Sequence, residues 1–346
     1  LLLFFLLSTL SLKASYLLIP MDEDSQKNHL KAYGIAFWTL ENDLTVDWLL
    51  NYRGGSFLIE NQSQIEKECI VRGVTYEVIT NAYKNQLQIE LAHPESNTDI
   101  IKLEKAPKVA VYSPEGNLPW DDAVTMVLSY AEIPYDVIYD EEIVSDMLPM
   151  YDWLHLHHED FTGQYGKFHA SFKNAPWYIE QKRSFEAKAE KLGHSKVSTQ
   201  KLEVALKIKE FLAGGGFLFA MCSATDSYDI ALAAEGVDIC EYMFDGDPMT
   251  PSAQQLLDYN KSIAFKDFQI ITNPNIYEFS DIDVTRGRKV AKNQDFFTLF
   301  EFSAKWDPVP TMLCQNHSQI IKGFMGQTTA YNKDLIKSDV LIMGEN

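Results

Sequence analysis

The sequence predicts an α/β protein in which a doubly wound parallel sheet follows a smaller β-rich domain. Short runs rich in β-branched and aromatic residues crowd residues 15–106, with polar or glycine turns between them. From Lys108 onward, compact apolar strands alternate with helical patterns, the order of β-α-β units. The chain of 346 residues is 46% hydrophobic, enough for two ordinary cores.

Residues 1–14, within "LLLFFLLSTLSLKAS", have the length of the apolar core of a secretory signal rather than of a membrane span. Cleavage after Ala14 is expected, which implies export to the periplasm or cell envelope. No later stretch is apolar and long enough to span a membrane. The β-rich domain, 15–106, reads "AYGIAFWTL", "LTVDWLLNY", "SFLIE", "TYEVIT" and "LQIELA" as strands. Within "VDWLLNYRGGSF", Arg53 precedes the Gly54-Gly55 turn. It is either the end of a strand or a bidentate holder of a ligand carboxylate.

The second domain, 107–346, has strands in "KVAVYSP", "DVIYDEEI", "MYDWLHLHH", "FLFAM" and "VDICEYMF". A charged helix is expected from Trp177 to Leu192. The next is capped by Ser198, with Leu202, Ala205, Leu206 and Leu212 on its apolar face. "DSYDIALAAEG" is a further helix. The insertion 161–197, with Gly163 and Trp177, has the length of a lid over a cleft.

Forty-nine acidic residues against 30 basic ones leave a formal charge of −19, which disfavours nucleic acid and anionic membrane surfaces as partners; a small polar molecule, amide or carbohydrate, is the ligand expected from the cleft residues and the resemblance given below. The segment from Lys167 to Lys209 concentrates positive charge and is the one place for a basic patch. Cys69, Cys222, Cys240 and Cys314 lack CxxC spacing, so structural zinc is not expected; disulfides in an oxidising compartment stay open.

Ligands of open parallel sheets bind beyond the carboxyl ends of the strands. Two chemically rich segments fall there, His155–Asp160 and Cys222–Asp226. Cys222 lies between Ala220 and Ala224, and a nucleophile on a tight strand-to-helix turn needs such small flanking residues. The helix that follows is expected to lower the thiol pKa. The competing reading is a small buried filler. His155 and His157 share one strand face, suited to a divalent metal such as zinc, with His158 on the other face. His157, His158 and Asp160 equally suit acid–base work on a bound polar ligand, and His155 suits a buried core position.

The elbow "AMCSA" and the preceding "GGGFLF" make the segment from Lys108 onward resemble the class I glutamine amidotransferase-like superfamily, in its trehalose-utilisation-like (ThuA-like) branch. That resemblance implies a flavodoxin-like sheet with Cys222 as nucleophile, although alanines stand where the family has glycines. The family's later His-x-Glu has no counterpart; His317 in "CQNHSQ" is the only histidine after the elbow. The chain is expected to stop before the loop that supplies the base. With "SYLLIPMDEDSQKNHLKAYGIAFWTLE", the whole chain also resembles exported bacterial proteins labelled asparagine synthetase B. In "CSATDS", Asp226 and Ser227 match that label's ATP loop, while Ser223 and Ala224 replace its glycines. These readings imply a cysteine-dependent hydrolase with Cys222, His157, His158 and Asp160 in catalysis and Gly163, Ser223, Asp226 and Arg53 holding substrate. The rivals are a non-catalytic binding or scaffold protein and, last, an ATP-dependent synthetase.

Overall fold

Strand alternation sets the first core. In β1 (Ser15–Ile19), Leu17 and Ile19 enter one apolar cluster while Leu18 enters another. Successive side chains of a strand point to opposite faces, so both faces of this sheet are covered. The chain is seen here as a computed structural model describing residues 15–114, 123–291, 294–300, 303–305, 317–323 and 328–346. The expected signal segment and Cys314 lie outside the described residues.

The chain divides into two compact units, one of residues 1–106, 127–133 and 299–319, the other of 107–126, 134–298 and 320–346. In the first, β1, β2 (Val46–Leu50), β3 (Ser56–Glu60), β4 (Glu77–Thr80) and β5 (Asp99–Leu103) form an antiparallel sheet of order β4-β1-β3-β2-β5. Three helices accompany it: α1 (His29–Glu41), α2 (Ser63–Arg72) and α3 (Asn81–Leu91). Residues of α1 and α2 fill one face and Leu87 and Leu91 of α3 the other.

Two expected strands are therefore helices. "AYGIAFWTL" lies in α1, where the Asn28 side chain accepts from the Lys31 amide and Ala32, Ile35, Ala36 and Leu40 bury one helical face. "LQIELA" lies mostly in α3, capped by Thr80 on the Tyr83 amide. The caps and the i, i+4 spacing outweigh the β-branched and aromatic content.

In the second unit β6 (Val109–Tyr112), β7 (Asp136–Ile138), β8 (Trp153–Leu156) and β9 (Phe217–Ala220) form a parallel sheet of order β7-β6-β8-β9. Helix α4 (Ala123–Ala131) is divided between the two units, and helices α5 (Asp140–Val144), α6 (His169–Phe172), α7 (Pro176–Lys191), α8 (Val197–Ala213) and α9 (Ser223–Ala233) belong to the second. The core joins Ala110, Tyr112, Leu154 and Leu156 of the sheet to residues of α5, α8 and α9. "VDICEYMF" is not a strand: Gly236 turns the chain, the Asp238 carboxylate accepts from the Cys240 amide at 2.9 Å, and residues Tyr242–Asp245 (α10) are helical.

Helix α8 starts one residue before Ser198 and buries Val197, Gln200, Lys201, Val204, Ala205, Ile208 and Phe211, a face rotated from the expected one. That rotation carries Lys201 inside, 1% exposed. Its ammonium donates to both oxygens of Asp140 at 2.9 and 3.1 Å, to the Tyr112 hydroxyl at 2.8 Å and to the Tyr139 hydroxyl at 3.0 Å. The Tyr112 hydroxyl also donates to Asp140. Burial draws the lysine pKa down, but Asp140, Tyr139 and Glu159 outweigh it and the net shift is upward, so the group stays charged. The network ties the ends of β6 and β7 to α8.

Breaking one side of such a buried pair costs about 3–5 kcal/mol, whereas replacing both sides with apolar groups is often neutral. Lys201→Met is expected to lose stability of that order in urea unfolding. Adding Asp140→Leu is expected to recover most of it.

Candidate active site

Strand β9 ends in a sharp turn. The Met221 amide donates to the Leu156 carbonyl at 3.0 Å, continuing the ladder to β8. Cys222 then adopts φ 52° and ψ −137°, and α9 begins at Ser223. A side chain with a positive φ and extended ψ occupies backbone space that is nearly reserved for glycine, at a cost of about 1–3 kcal/mol. Neighbouring bonds hold it there. The Ala224 amide donates to the carbonyls of Met221 at 3.2 Å and His157 at 3.3 Å, and the Ser227 hydroxyl donates to the Glu159 carbonyl at 2.8 Å. Ala224, fully buried, fits where a larger side chain meets the core. Cys222 is an exposed residue in no disulfide, although the surrounding protein partly desolvates its sulfur.

The electrostatics around the sulfur are acidic. Flanking protein raises the Cys222 pKa; the Ser223 amide opposes this and Asp226 and Asp283 add to it. The expected lowering by α9 is thus overturned, because desolvation and the two carboxyls outweigh the helix terminus. Asp226, one turn into α9 and 3% exposed, is pushed up to about 8 by burial, then by Asp283 and Asp160. Partly buried Glu159 is pushed up to about 7, chiefly by desolvation; Lys201 opposes the rise while Asp140 and Asp160 add to it. Tyr277 and Tyr331 complete the rim: both phenols are raised, first by burial, and both feel Cys222, Asp226 and Asp283. The Tyr331 hydroxyl donates to the Cys222 carbonyl at 3.4 Å.

The histidines follow the end of β8. His155 is fully buried and stacks on Phe219 at 5.5 Å. The His157 ring lies 6.3 Å from that of His155 and 4.3 Å from that of exposed His158. Asp160 accepts from the Thr162 amide and hydroxyl at 2.7 and 2.6 Å and from the Gly166 amide at 2.8 Å, folding the loop on itself. At Gly163 φ is +80°, and an added Cβ would lie 2.7 Å from the Ser198 backbone, so this glycine lets the loop touch the start of α8. Ser227 is fully buried and Asp226 nearly so, which leaves the "CSATDS" segment facing inward beyond Ser223.

Arg53 belongs to the first unit, where its donors reach Asp22 at 3.1 Å, Glu77 at 2.8 Å and Ser25 at 2.9 Å. His317 belongs there too; its Nδ1 donates to the Gly54 carbonyl at 2.7 Å and its Nε2 lies 2.7 Å from the Tyr33 hydroxyl. Thus Cys222, Ser223, Asp226 and the His157–Asp160 loop come together at adjacent strand ends of one sheet, and Arg53 forms part of another framework.

Among the described residues, the group of three side chains with ligand atoms close enough to share an ion is Asp238, Cys240 and Asp245. Lys196 already sits in it, 2.5 Å from Asp238 and 3.0 Å from Asp245, with Asp247 at 2.5 Å. The Cys240 thiol donates to the Thr162 carbonyl at 3.3 Å. An internal ammonium thus supplies the positive charge that a metal would bring.

Sequence reasoning passed over Lys201, Asp140, Asp283, Tyr277 and Tyr331. Only Lys201 left a local signal, since its spacing from Val197, Val204 and Ile208 puts a lysine on an apolar helical face. Comparison with protein-family models, with curated proteins and with solved structures gave no match to this chain.

A carboxyl whose folded pKa lies above its unfolded value keeps a proton that the unfolded chain releases. Its stabilising contribution is complete below the unfolded pKa and is lost as pH rises through the folded one. With Asp226 moved from 3.8 to about 8, stability is expected to fall between pH 4 and 8. Asp226→Asn is expected to flatten that fall in denaturant melts taken across the range.

Proposed function

We propose that the second unit is a flavodoxin-like, amidotransferase-like domain acting as a cysteine-dependent hydrolase of small amides, with Cys222 as nucleophile. The observation that carries this reading is the exposed cysteine on a strained backbone at the junction of β9 and α9. Strain of that kind persists where surrounding bonds over-determine it, and it presents a side chain clear of the sheet. The order β7-β6-β8-β9, which is 2-1-3-4 by appearance in the unit, supports the fold assignment.

The chemistry divides among this chain's own groups. The sulfur attacks the amide carbonyl while its proton passes to the ionised Asp226 carboxylate, whose raised affinity for protons matches the task. The Ser223 amide, which already lies against the thiol, donates to the developing oxyanion. Collapse of the tetrahedral intermediate expels the amine, which takes the proton from Asp226. Water then releases the acid from the thioester. The loop of His157 and Glu159, whose carbonyls are bonded to this turn, supplies the groups that orient the polar ends of the substrate. The apolar run of residues 1–14 supports export, and with it extracytoplasmic amides as the substrates.

The raised thiol pKa favours a second reading, a ligand-binding module that keeps the fold without the reaction. Ser223 and Ala224 in place of the loop's two glycines, with Ser227 fully buried, give little support to an ATP loop. Ammonia release from a panel of primary amides, including sugar amides, separates the first two. Hydrolysis is expected to climb as pH passes 8, to drop at least a hundredfold in Cys222→Ser and to lose that pH rise in Asp226→Asn. Saturable amide binding without any ammonia assigns the protein to the second reading.

A further inference from the structure

Helices α6 and α7 lie within the segment where positive charge is concentrated. A cavity of about 290 Å³ opens there, lined by His169, Lys173, Tyr178, Ile179, Lys182, Arg183, Glu186 and Met243. Its charge is opposite to that of the chain, which carries −19 overall. Of its three permanent cations, Lys182 is engaged: it donates to the Met243 carbonyl at 3.0 Å and lies 3.7 Å from Glu186. Lys173 and Arg183 have no ion pair among the described residues. Both line the cavity and are exposed.

Several like charges around one concavity repel one another unless an anion joins them. Their effect is visible at His169, whose pKa is held below the ordinary histidine value first by burial and then by Lys173 and Lys182. Glu186 is the one acid in the lining, and with Lys182 opposite it the cavity keeps two uncompensated positive charges. The Arg183 guanidinium offers a planar fork of donors, the shape that meets two oxygens of one oxyanion. Lys173 adds a compact point charge, and His169 an additional donor once an anion raises its pKa.

We propose that this cavity is a binding site for a phosphate-class oxyanion, with Lys173 and Arg183 as its principal ligands and His169 as a donor that becomes protonated on binding. It stands apart from the chemistry at Cys222 and holds whether or not that site hydrolyses amides.

The test uses the full chain, titrated at constant ionic strength with inorganic phosphate and, separately, with a small phosphomonoester such as glycerol phosphate. Calorimetry reads affinity, and nuclear magnetic resonance of the His169 ring reads its protonation. Saturable binding with an upward shift of the His169 pKa is expected, and tighter binding of one titrant identifies free phosphate or its ester as the source. Lys173→Ala with Arg183→Ala is expected to weaken binding at least tenfold; Lys207→Ala, which alters a surface lysine paired with Asp146, leaves it unchanged. Arg183→Gln alone provides a milder variant, read the same way, with circular dichroism checking the fold of each. A linear, non-saturating response, or equal affinity in the wild type and the double variant, overturns the proposal.

Discussion

The backbone of Cys222 is held in a conformation that an L-residue resists, and the rest of the second unit's rim depends on that restraint. Left to itself, the residue would relax to a negative φ. The ladder to β8, the amide of Ala224 on His157 and the hydroxyl of Ser227 on Glu159 prevent this. Those bonds also lock the β8 loop to the first turn of α9. One constraint thus fixes the thiol and sets the histidine loop beside it.

A second constraint shapes the chemistry. The rim gathers Asp226, Asp283, Glu159 and Asp160 with limited access to water, and that desolvation, reinforced by repulsion among the carboxyls, keeps protons on Asp226 and Glu159 near neutral pH. The buried Lys201 moderates this by holding Asp140 and pulling on Glu159. Groups poised at about 7 and 8 are suited to moving protons. The same field leaves the resting thiol protonated, so its reactivity depends on a proton acceptor close by rather than on a preformed thiolate.

Much of this was legible in the chain. The alternation of "KVAVYSP", "MYDWLHLHH" and "FLFAM" with helical stretches marked the parallel strands, because apolar runs bounded by turns have few other uses in a β-α-β chain. Ala220 and Ala224 marked the turn at Cys222 through size alone. The first unit was harder to read: α1 and α3 contain the aromatic and β-branched residues of strands, and only their caps at Asn28 and Thr80 reveal the helices. The electrostatic partners were beyond reach. Asp283, Tyr277 and Tyr331 approach Cys222 through tertiary folding across long stretches of chain, and no local pattern records that. The direction of the thiol's pKa followed from those same unseen neighbours.

The Cys222 sulfur is presented at the rim while its neighbours keep it protonated. Alkylation of the native chain by iodoacetamide, followed residue by residue with mass spectrometry across pH, measures both features at once. Cys222 is expected to be modified while Cys69 and Cys240, both buried, stay intact, and its rate is expected to rise with a midpoint above that of an ordinary thiol. Protection of Cys222 equal to that of the two buried cysteines would contradict the account.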